Sequence, residues 1–289
     1  MPNSTLLETT AETVRPVATA ARRFDSRRVY TVLALAPLLY GAVRYLPPIG
    51  LACFVALAGG LALIELYQLC LSTSQRNQYV GIGLLGFIVL LIAPLFPAVM
   101  APGLLATVVA LLTLPLLGQG VLAESAKQAS ITLLGLLYIG LTLSYVVQTR
   151  MLPAGEWWLF FLLVVTWAGD TGAYYVGTLC GRHPLAPRIS PKKSVEGLFG
   201  GLFCAAAVAL LARWWFLPEL SLVQSLVLAI LLTGAGLWGD LVESAVKRAV
   251  GAKDSGAVLP GHGGMLDRLD SLLFSAPAFY YYVILIGRS

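Results

Sequence analysis

Residues 49–71 read IGLACFVALAGGLALIELYQLCL, and Glu65 is the only charged side chain in this stretch. A helix rises about 1.5 Å per residue, so about 20 apolar residues cross the roughly 30 Å of hydrocarbon in a membrane. A barrel strand would be about half as long and would alternate apolar with polar side chains. The stretch therefore predicts a transmembrane helix.

Similar apolar runs recur on both sides of this stretch, and prolines mark many of the breaks between them. Together they predict an all-α polytopic integral membrane protein with about nine transmembrane helices and a cytoplasmic N-terminus. An alternative for the third and fourth runs is a single element broken at Pro94, Pro97 and Pro102. The predicted spans are residues 29–46, 49–71, 79–96, 101–118, 129–148, 156–178, 196–217, 221–241 and 269–287.

The composition agrees with a chain embedded in lipid. Of the 289 residues, 58% are hydrophobic and 11% are charged, whereas a soluble domain carries about 25% charged residues. The mean hydropathy is +0.83. These values exclude a soluble enzyme, a disordered regulator and a disulfide-stapled secreted module. The cysteines show no C-x-x-C spacing, so we interpret them as small apolar residues.

The basic residues are divided unequally between the two sides of the predicted membrane. All but four of the nineteen Lys and Arg residues fall on the cytoplasmic side, as the positive-inside rule requires. Residues 1–28 form a polar, Arg-rich cytoplasmic tail, residues 29–150 the N-terminal helices, and residues 151–289 the region with the candidate catalytic residues. Its long cytoplasmic loops are residues 179–195 and 242–268. The basic side would attract anionic membrane lipids, and the charge does not indicate nucleic-acid binding.

Four aspartates lie within or beside the predicted spans at their cytoplasmic ends. Acids in such places are costly unless they face a cavity or a partner. The topology brings Asp170, Asp240, Asp267 and Asp270 to one face, where they would share cations. Mg²⁺ is the expected occupant, because it takes oxygen ligands and is usually completed by substrate phosphates. The structural alternative is that such an Asp caps a helix or pairs with Arg. For Glu65, a structural hydrogen-bonding role is as good an interpretation as a functional one.

The first loop contains a short basic run at residues 190–194, SPKKS, followed by Glu196. Lys192 and Lys193 supply cations suited to phosphate oxygens, and Ser194 can cap the helix that follows. A phosphate near that helix N-terminus would also meet free backbone N–H groups. The alternative is a juxtamembrane basic cluster that only fixes the topology, but such a cluster would not need Glu196.

The second loop and its edges are rich in ionisable side chains and glycine. If the chain is helical from Asp240, then Glu243 and Lys247 lie four residues apart on one face. Glycines beside His262 let the backbone approach a ligand and offer N–H groups to phosphate. His262 by itself is more typical of a capping residue than of a general base.

In order and spacing, these motifs resemble those of the phosphatidate cytidylyltransferase family, also called CDP-diacylglycerol synthases. The similarity covers about residues 155–275, and every charged motif position matches. The motifs are Asp170-x-x-Ala173-Tyr174-x-x-Gly177, Ile189-Ser190-Pro191-Lys192-Lys193-Ser194-x-Glu196-Gly197, Ser244-x-x-Lys247-Arg248, Lys253-Asp254-Ser255-Gly256, Pro260-Gly261-His262-Gly263-Gly264 and Leu266-Asp267-Arg268-Leu269-Asp270-Ser271.

The resemblance implies that CTP and phosphatidate react to give CDP-diacylglycerol and pyrophosphate. It implies Mg²⁺ with a second metal ion, metal ligands at Asp240 and Asp267 with Asp270 as a further candidate, and a homodimer. CTP would arrive from the cytoplasm and phosphatidate from the inner leaflet of a bacterial cytoplasmic membrane. The catalytic residues would be Lys192, Lys193, Lys247, Arg248, Lys253, Asp254, His262 and Arg268, and the substrate-binding residues Asp170, Ser190, Ser194, Glu196, Gly263 and Gly264.

Two other functions stay open on sequence grounds. A CTP-dependent lipid kinase of the polyprenol type would pass the γ-phosphate to a lipid alcohol, and His262 or an Asp would serve as its base. An anionic-metabolite transporter would use the same charges as a pathway. Transporters usually place their binding groups near the bilayer midplane in repeated halves, whereas this chain gathers its polar groups at one face and shows no internal repeat.

Overall fold

The computed structural model describes residues 37–72, 76–117, 121–256 and 264–286. The predicted tail, the first part of the first predicted span, and the candidates His262 and Gly263 lie outside these residues. The described chain is helical apart from connecting turns and one short hairpin. This confirms the predicted all-α class.

The helices are, in chain order, α1 (37–45), α2 (Pro48–Cys70), α3 (Arg76–Ile92), α4 (Met100–Leu117), α5 (Leu122–Gly135), α6 (Thr142–Arg150), α7 (Gly155–Cys180), α8 (Val195–Trp215), α9 (Leu222–Ala249) and α10 (Leu266–Ile286). A 3₁₀ turn at Pro97–Val99 leads into α4, and a π-helical turn at Leu136–Leu141 joins α5 to α6 without a break. Between α7 and α8, β1 (Pro184–Ala186) pairs with the antiparallel β2 (Ser190–Ser194).

Six helical segments of the described chain are long and apolar enough to cross a membrane. They are Pro48–Cys70, Pro97–Leu117, Leu122–Arg150, Gly155–Cys180, Val195–Trp215 and Leu222–Ala249. Their outward surfaces are strongly apolar, since Leu117, Leu179 and Trp214 are each more than 80% exposed. Large apolar side chains on the outside of a helical bundle are typical of contact with lipid. The polytopic membrane class is confirmed, while the number nine stays a prediction.

The third and fourth predicted spans are two separate helices, α3 and α4, joined by a turn over residues 93–96. The two helices pack against each other: a Cβ built on Gly86 of α3 would lie 2.8 Å from the Thr107 side chain of α4. The alternative of a single broken element is therefore wrong. The prolines in this region end one helix and start the next, as the fixed proline φ angle favours.

Helix α9 extends to Ala249, eight residues beyond the predicted end of its span at residue 241. Residues 242–249 are therefore helical, although we expected the second loop to begin there. Glu243 and Lys247 form an i,i+4 ion pair on this helix, with Oε1 and Nζ 3.1 Å apart. Such a pair, together with basic residues in the last turn, stabilises a helix C-terminus. The polar residues of the Ser244-x-x-Lys247-Arg248 motif thus stand on a helix.

Candidate active site

Asp240 of α9 and Asp270 of α10 meet where their two helices approach each other closely. A Cβ built on Gly239 would lie 2.2 Å from the carbonyl oxygen of Asp270, so the approach requires glycine at this position. As a result, carboxylate oxygens of Asp240, Glu243 and Asp270 lie within 4.8 Å of one another. Glu243 is almost fully buried, whereas the Asp240 side chain is 37% exposed.

Asp170 reaches the same place from α7. Its Oδ2 accepts a hydrogen bond of 2.7 Å from the hydroxyl of Ser271, and the same hydroxyl lies 3.2 Å from Oδ1 of Asp270. One serine thus links carboxylates that would otherwise repel each other. We call Asp170, Asp240, Glu243 and Asp270 the acidic cluster. The predicted convergence of aspartates from distant spans is seen for three of the four, and Asp267 lies about one helical turn from Asp270 on α10.

Helix α7, which carries Asp170, lies unusually close to α8. A Cβ built on Gly201 of α8 would lie 2.7 Å from the carbonyl oxygen of Gly169. Small residues at such a contact let two membrane helices approach backbone to backbone. The contact fixes Asp170 relative to the hairpin that precedes α8.

Lys193 connects that hairpin to the acidic cluster. Its Nζ lies 2.5 Å from Oδ2 of Asp240, and its side chain is only 21% exposed. The neighbouring Lys192 is exposed, as expected for the opposite side of strand β2. Of the two predicted lysines, therefore, one contacts the cluster and the other remains open to a ligand.

Ser194 and Glu196 shape the base of the hairpin. Ser194 Oγ accepts a hydrogen bond from the backbone N–H of Gly197 and so caps α8, as predicted. Glu196 Oε2 accepts hydrogen bonds from the backbone N–H groups of Arg182 and His183, 3.0 and 3.2 Å away. Both side chains organise the loop, and their contact with substrate stays a prediction, as does that of Ser190.

Lys247 and Asp267 form a second charged group beside the acidic cluster. Lys247 Nζ lies 2.5 Å from Oδ1 of Asp267 and 3.1 Å from Oε1 of Glu243. Oδ2 of Asp267 accepts hydrogen bonds from the Ser255 hydroxyl at 3.0 Å and from the Gly264 N–H at 3.2 Å. Burial by itself would raise the pKa of Asp267, but its hydrogen bonds, among them the one from the Lys247 ammonium group, outweigh burial and hold that pKa below its ordinary value. Asp267 is therefore a carboxylate at neutral pH.

The other predicted residues lie around these two groups. Arg248 lies in the last turn of α9, and its Nη1 donates to the carbonyl oxygen of Ala252 at 3.2 Å. Lys253 and Asp254 are exposed in the turn that follows. Arg268 is exposed on the first turn of α10 and, with Ser271, lines an apolar cavity bounded by α1, α2, α6, α7 and α10.

The sequence interpretation missed several residues that complete the site. Glu243 was recognised as a helical neighbour of Lys247 but was not included among the candidate ligands. Ser255 and Ser271 stand within the motifs, yet nothing in the pattern showed that their hydroxyl groups bridge acids. Glu65 of α2 proves to be fully buried, with both carboxylate oxygens hydrogen-bonded to residues near Asp267.

Among the described residues, Asp240, Glu243 and Asp270 form the group whose oxygens could hold one metal ion. An all-oxygen donor set suits Mg²⁺. Asp267, which the family resemblance pairs with Asp240, is bonded to Lys247 and lies outside this group of three. The geometry therefore adds Glu243 to the residues to be considered as ligands and keeps Asp270 among them.

Together, the fold and the site define a polytopic membrane protein in which the C-terminal halves of α7 and α9 and the start of α10 bring carboxylates and lysines together. The sequence model of the Cytidylyltransferase family matches residues 26–286. The chain belongs to this family, and the resemblance drawn from its motifs is confirmed.

Two curated bacterial relatives show how similar the chain is to known proteins and over what length. The chain is 43% identical over 162 residues to the phosphatidate cytidylyltransferase of Staphylococcus saprophyticus, a match that covers 56% of this chain and 62% of that protein. It is 41% identical over 155 residues to the phosphatidate cytidylyltransferase of Bacillus subtilis, covering 53% of this chain and 58% of that protein. The match thus spans about three fifths of the length of these relatives.

Proposed function

We propose that the protein is a phosphatidate cytidylyltransferase, which transfers CMP from CTP to phosphatidate and releases pyrophosphate. One observation carries the proposal: in a chain of the Cytidylyltransferase family, the acidic cluster meets Lys193 and Lys247 where the C-terminal halves of α7 and α9 approach the start of α10. Carboxylates beside lysines provide the means to bind metal ions and phosphate groups together.

The proposed reaction needs little acid–base catalysis. A phosphate oxygen of phosphatidate, already anionic near neutral pH, forms the new bond to the α-phosphorus of CTP. The bond from that phosphorus to the bridging oxygen of the β-phosphate breaks, and its electron pair leaves with pyrophosphate. The main difficulty is bringing two polyanions together, so positioning and electrostatic stabilisation supply most of the rate enhancement.

Mg²⁺ and a second metal ion belong to this proposal. Asp240 and Asp267 would hold the metal with Asp270, and Glu243 lies beside them. The oxygen-only donors fit Mg²⁺, and the partly exposed side chain of Asp240 leaves room for a phosphate oxygen. The ions would neutralise charge as pyrophosphate departs.

The lysines would have different roles in binding phosphate groups and positioning acids. Lys193, at the edge of the acidic cluster, is placed to exchange its bond to Asp240 for a bond to a phosphate oxygen. Lys247 is more deeply buried between two acids, and it would hold Asp267 in place as a carboxylate. The exposed Lys192 and Lys253, together with Arg248, would contact the triphosphate from the aqueous side.

Phosphatidate would bind from the membrane. Part of an acyl chain would lie against the apolar cavity that Arg268 and Ser271 help to line, and the Arg268 guanidinium would then contact the lipid phosphate. The distribution of basic residues supports an active site that faces the cytoplasm. The bacterial relatives support placement in a bacterial inner membrane. A homodimer remains part of the proposal on the family resemblance alone.

CTP labelled at either the α- or the γ-phosphate tests the reaction. With purified protein in detergent and phosphatidate as acceptor, we expect the α-label in the lipid and the γ-label in released pyrophosphate. In a parallel reaction with a polyprenol as acceptor, a γ-label in the lipid would identify a CTP-dependent lipid kinase instead. No pyrophosphate release on addition of phosphatidate would favour the transporter. Either result refutes the proposed function.

A further inference from the structure

Glu65 lies in the middle of the apolar helix α2, where it is the only charged residue, and its exposed fraction is 0%. Its Oε1 accepts a hydrogen bond of 2.9 Å from the backbone N–H of Met265. Its Oε2 accepts one of 2.9 Å from the N–H of Leu266 and, at 3.3 Å, shares the single hydrogen of the Ser255 hydroxyl with Oδ2 of Asp267. The carboxylate thus binds three donors that all belong to the far end of the chain.

Two of these donors stand at the start of α10. The first N–H groups of a helix have no partner within the helix, and the positive end of the helix dipole lies among them. Such groups are usually capped by a side chain of the residue just before the helix. Here the cap is supplied by another helix, so the position of α10 is tied directly to α2.

The third donor links Glu65 to the candidate catalytic residues. The Ser255 hydroxyl lies 3.3 Å from Oε2 of Glu65 and 3.0 Å from Oδ2 of Asp267, and Ser255 is only 3% exposed. Asp267 immediately follows Leu266, whose N–H Glu65 binds. A displacement of Glu65 would therefore reach Asp267 by two routes, through the Ser255 hydroxyl and along the backbone.

The described ends of the connection between α9 and α10 also lie against this carboxylate. A Cβ built on Gly264 would lie 2.6 Å from Oε2 of Glu65, and one built on Gly256 would lie 3.0 Å from Oε1. Both glycines therefore allow the backbone to approach the carboxylate closely. The described ends of the connection, residues 256 and 264, meet at Glu65.

We propose that Glu65 is a positioning residue: from the N-terminal half of the chain, it fixes the start of α10 and so the carboxylate of Asp267 relative to α9. Glu65 does not touch the reacting groups in this proposal and acts through Asp267. The expected effect of Glu65 on turnover rests on the proposed function, whereas its role in fixing the start of α10 does not.

The test compares Glu65→Gln with Tyr67→Phe in the full-length protein purified in detergent. Tyr67 is a matched control because it is also fully buried on α2 and donates a hydrogen bond of 2.6 Å to the carbonyl oxygen of Thr132, away from the site. A glutamine side chain has one accepting oxygen, and its NH₂ group only donates. Glu65→Gln therefore leaves at least one of the three donors without an acceptor.

Local hydrogen–deuterium exchange and turnover are measured together. We expect Glu65→Gln to raise the exchange rate of amides in residues 264–268 about tenfold or more, through the loss of hydrogen bonds to a charged group. CMP transfer should fall by about tenfold or more, since a small displacement of catalytic groups has a large effect on rate. Tyr67→Phe should change neither quantity, even where it lowers the unfolding temperature to the same extent.

The outcomes separate positioning from a general contribution to stability. The inference is overturned if Glu65→Gln matches Tyr67→Phe in exchange and turnover, or if exchange rises while turnover stays at the wild-type rate. If Glu65→Gln does not accumulate in the membrane, Ser255→Ala removes the bridging hydroxyl and keeps both backbone hydrogen bonds. Ser255→Ala should then raise amide exchange and lower CMP transfer by smaller factors than Glu65→Gln. Wild-type exchange and turnover in Ser255→Ala would overturn the inference. If the wild-type protein transfers no CMP, the proposed function fails, and exchange alone decides the role of Glu65.

Discussion

Replacing Gly239 by Ala tests whether the site depends on the close contact between α9 and α10. Gly239 directly precedes Asp240, and a Cβ built on it would lie 2.2 Å from the carbonyl oxygen of Asp270 and 3.4 Å from Cα of Ser271. These neighbouring atoms belong to the backbone, which cannot rotate away as a flexible side chain can. The added methyl group must therefore push the two helices apart.

The size of this displacement follows from the distances. Ordinary van der Waals contact begins at 3.4 Å, so the approach of 2.2 Å requires a local separation of about 1.2 Å. The oxygens of Asp240 and Asp270, which now lie within 4.8 Å of each other, would separate by a similar amount. A misplacement of about 1 Å at reacting groups costs about 100-fold in rate. Overpacking of this kind also costs about 1–3 kcal/mol of stability.

Turnover in the CMP-transfer assay and the midpoint of thermal unfolding should be measured for Gly239→Ala and Gly234→Ala. Gly234 lies on the same helix, but nothing is within 4 Å of a Cβ built on it. Gly234→Ala should keep wild-type turnover and gain up to about 1 kcal/mol from helix propensity. If the turnover of Gly239→Ala is within about threefold of that control, the contact does not set the geometry of the site.

Four further substitutions probe the same site. Asp240→Asn or Asp267→Asn should remove most CMP transfer at low Mg²⁺ while expression and membrane insertion stay intact, with the exposed Lys127→Ala as the unaffected control in a Mg²⁺ titration. Lys193→Ala removes the ammonium group 2.5 Å from Asp240 and should raise the KM for CTP about tenfold, as steady-state kinetics would show. Gly264→Ala should abolish transfer by membranes that still contain the protein, because a Cβ there would lie within 3 Å of the Ser255 hydroxyl and a carboxylate oxygen of the same network.

The membrane architecture could be predicted because it depends on local composition. Residues 49–71 were predicted to form one span, and α2 occupies Pro48–Cys70. The end of α9 was missed because polar residues after position 241 lower the hydropathy, although they continue the helix. Hydropathy measures preference for lipid, whereas the i,i+4 pairing of Glu243 with Lys247 stabilises the helix beyond the apolar region.

The chemistry of the site could be predicted more readily than its pairings. The motifs identified Asp170, Asp240 and Lys193 as candidates, but sequence order does not show which acid meets which donor. Ser271 bonds to Asp170, 101 positions earlier, and this contact depends on how α7 and α10 pack. The role of Glu65 was even harder to predict, since an isolated acid in an apolar run is compatible with several roles. Only the folded chain shows that its partners lie at the start of α10.

The balance of charge at the site gives an independent reason to expect bound cations. The acidic cluster and Asp267 contribute five carboxyl groups, whereas Lys193 and Lys247 contribute two ammonium groups, both already bonded to acids. A site that must receive a nucleoside triphosphate and a lipid phosphate would repel both substrates if its acids stayed ionised and unpaired, because charge interactions are strong where water is scarce. Protons on the acids would reduce the repulsion but would offer nothing to hold phosphate oxygens. Divalent cations satisfy both requirements, because each binds carboxylates on one side and phosphate oxygens on the other. The same acids that would repel the substrates in a metal-free site would then allow them to bind. We therefore expect the substrates to bind only when the metal is bound.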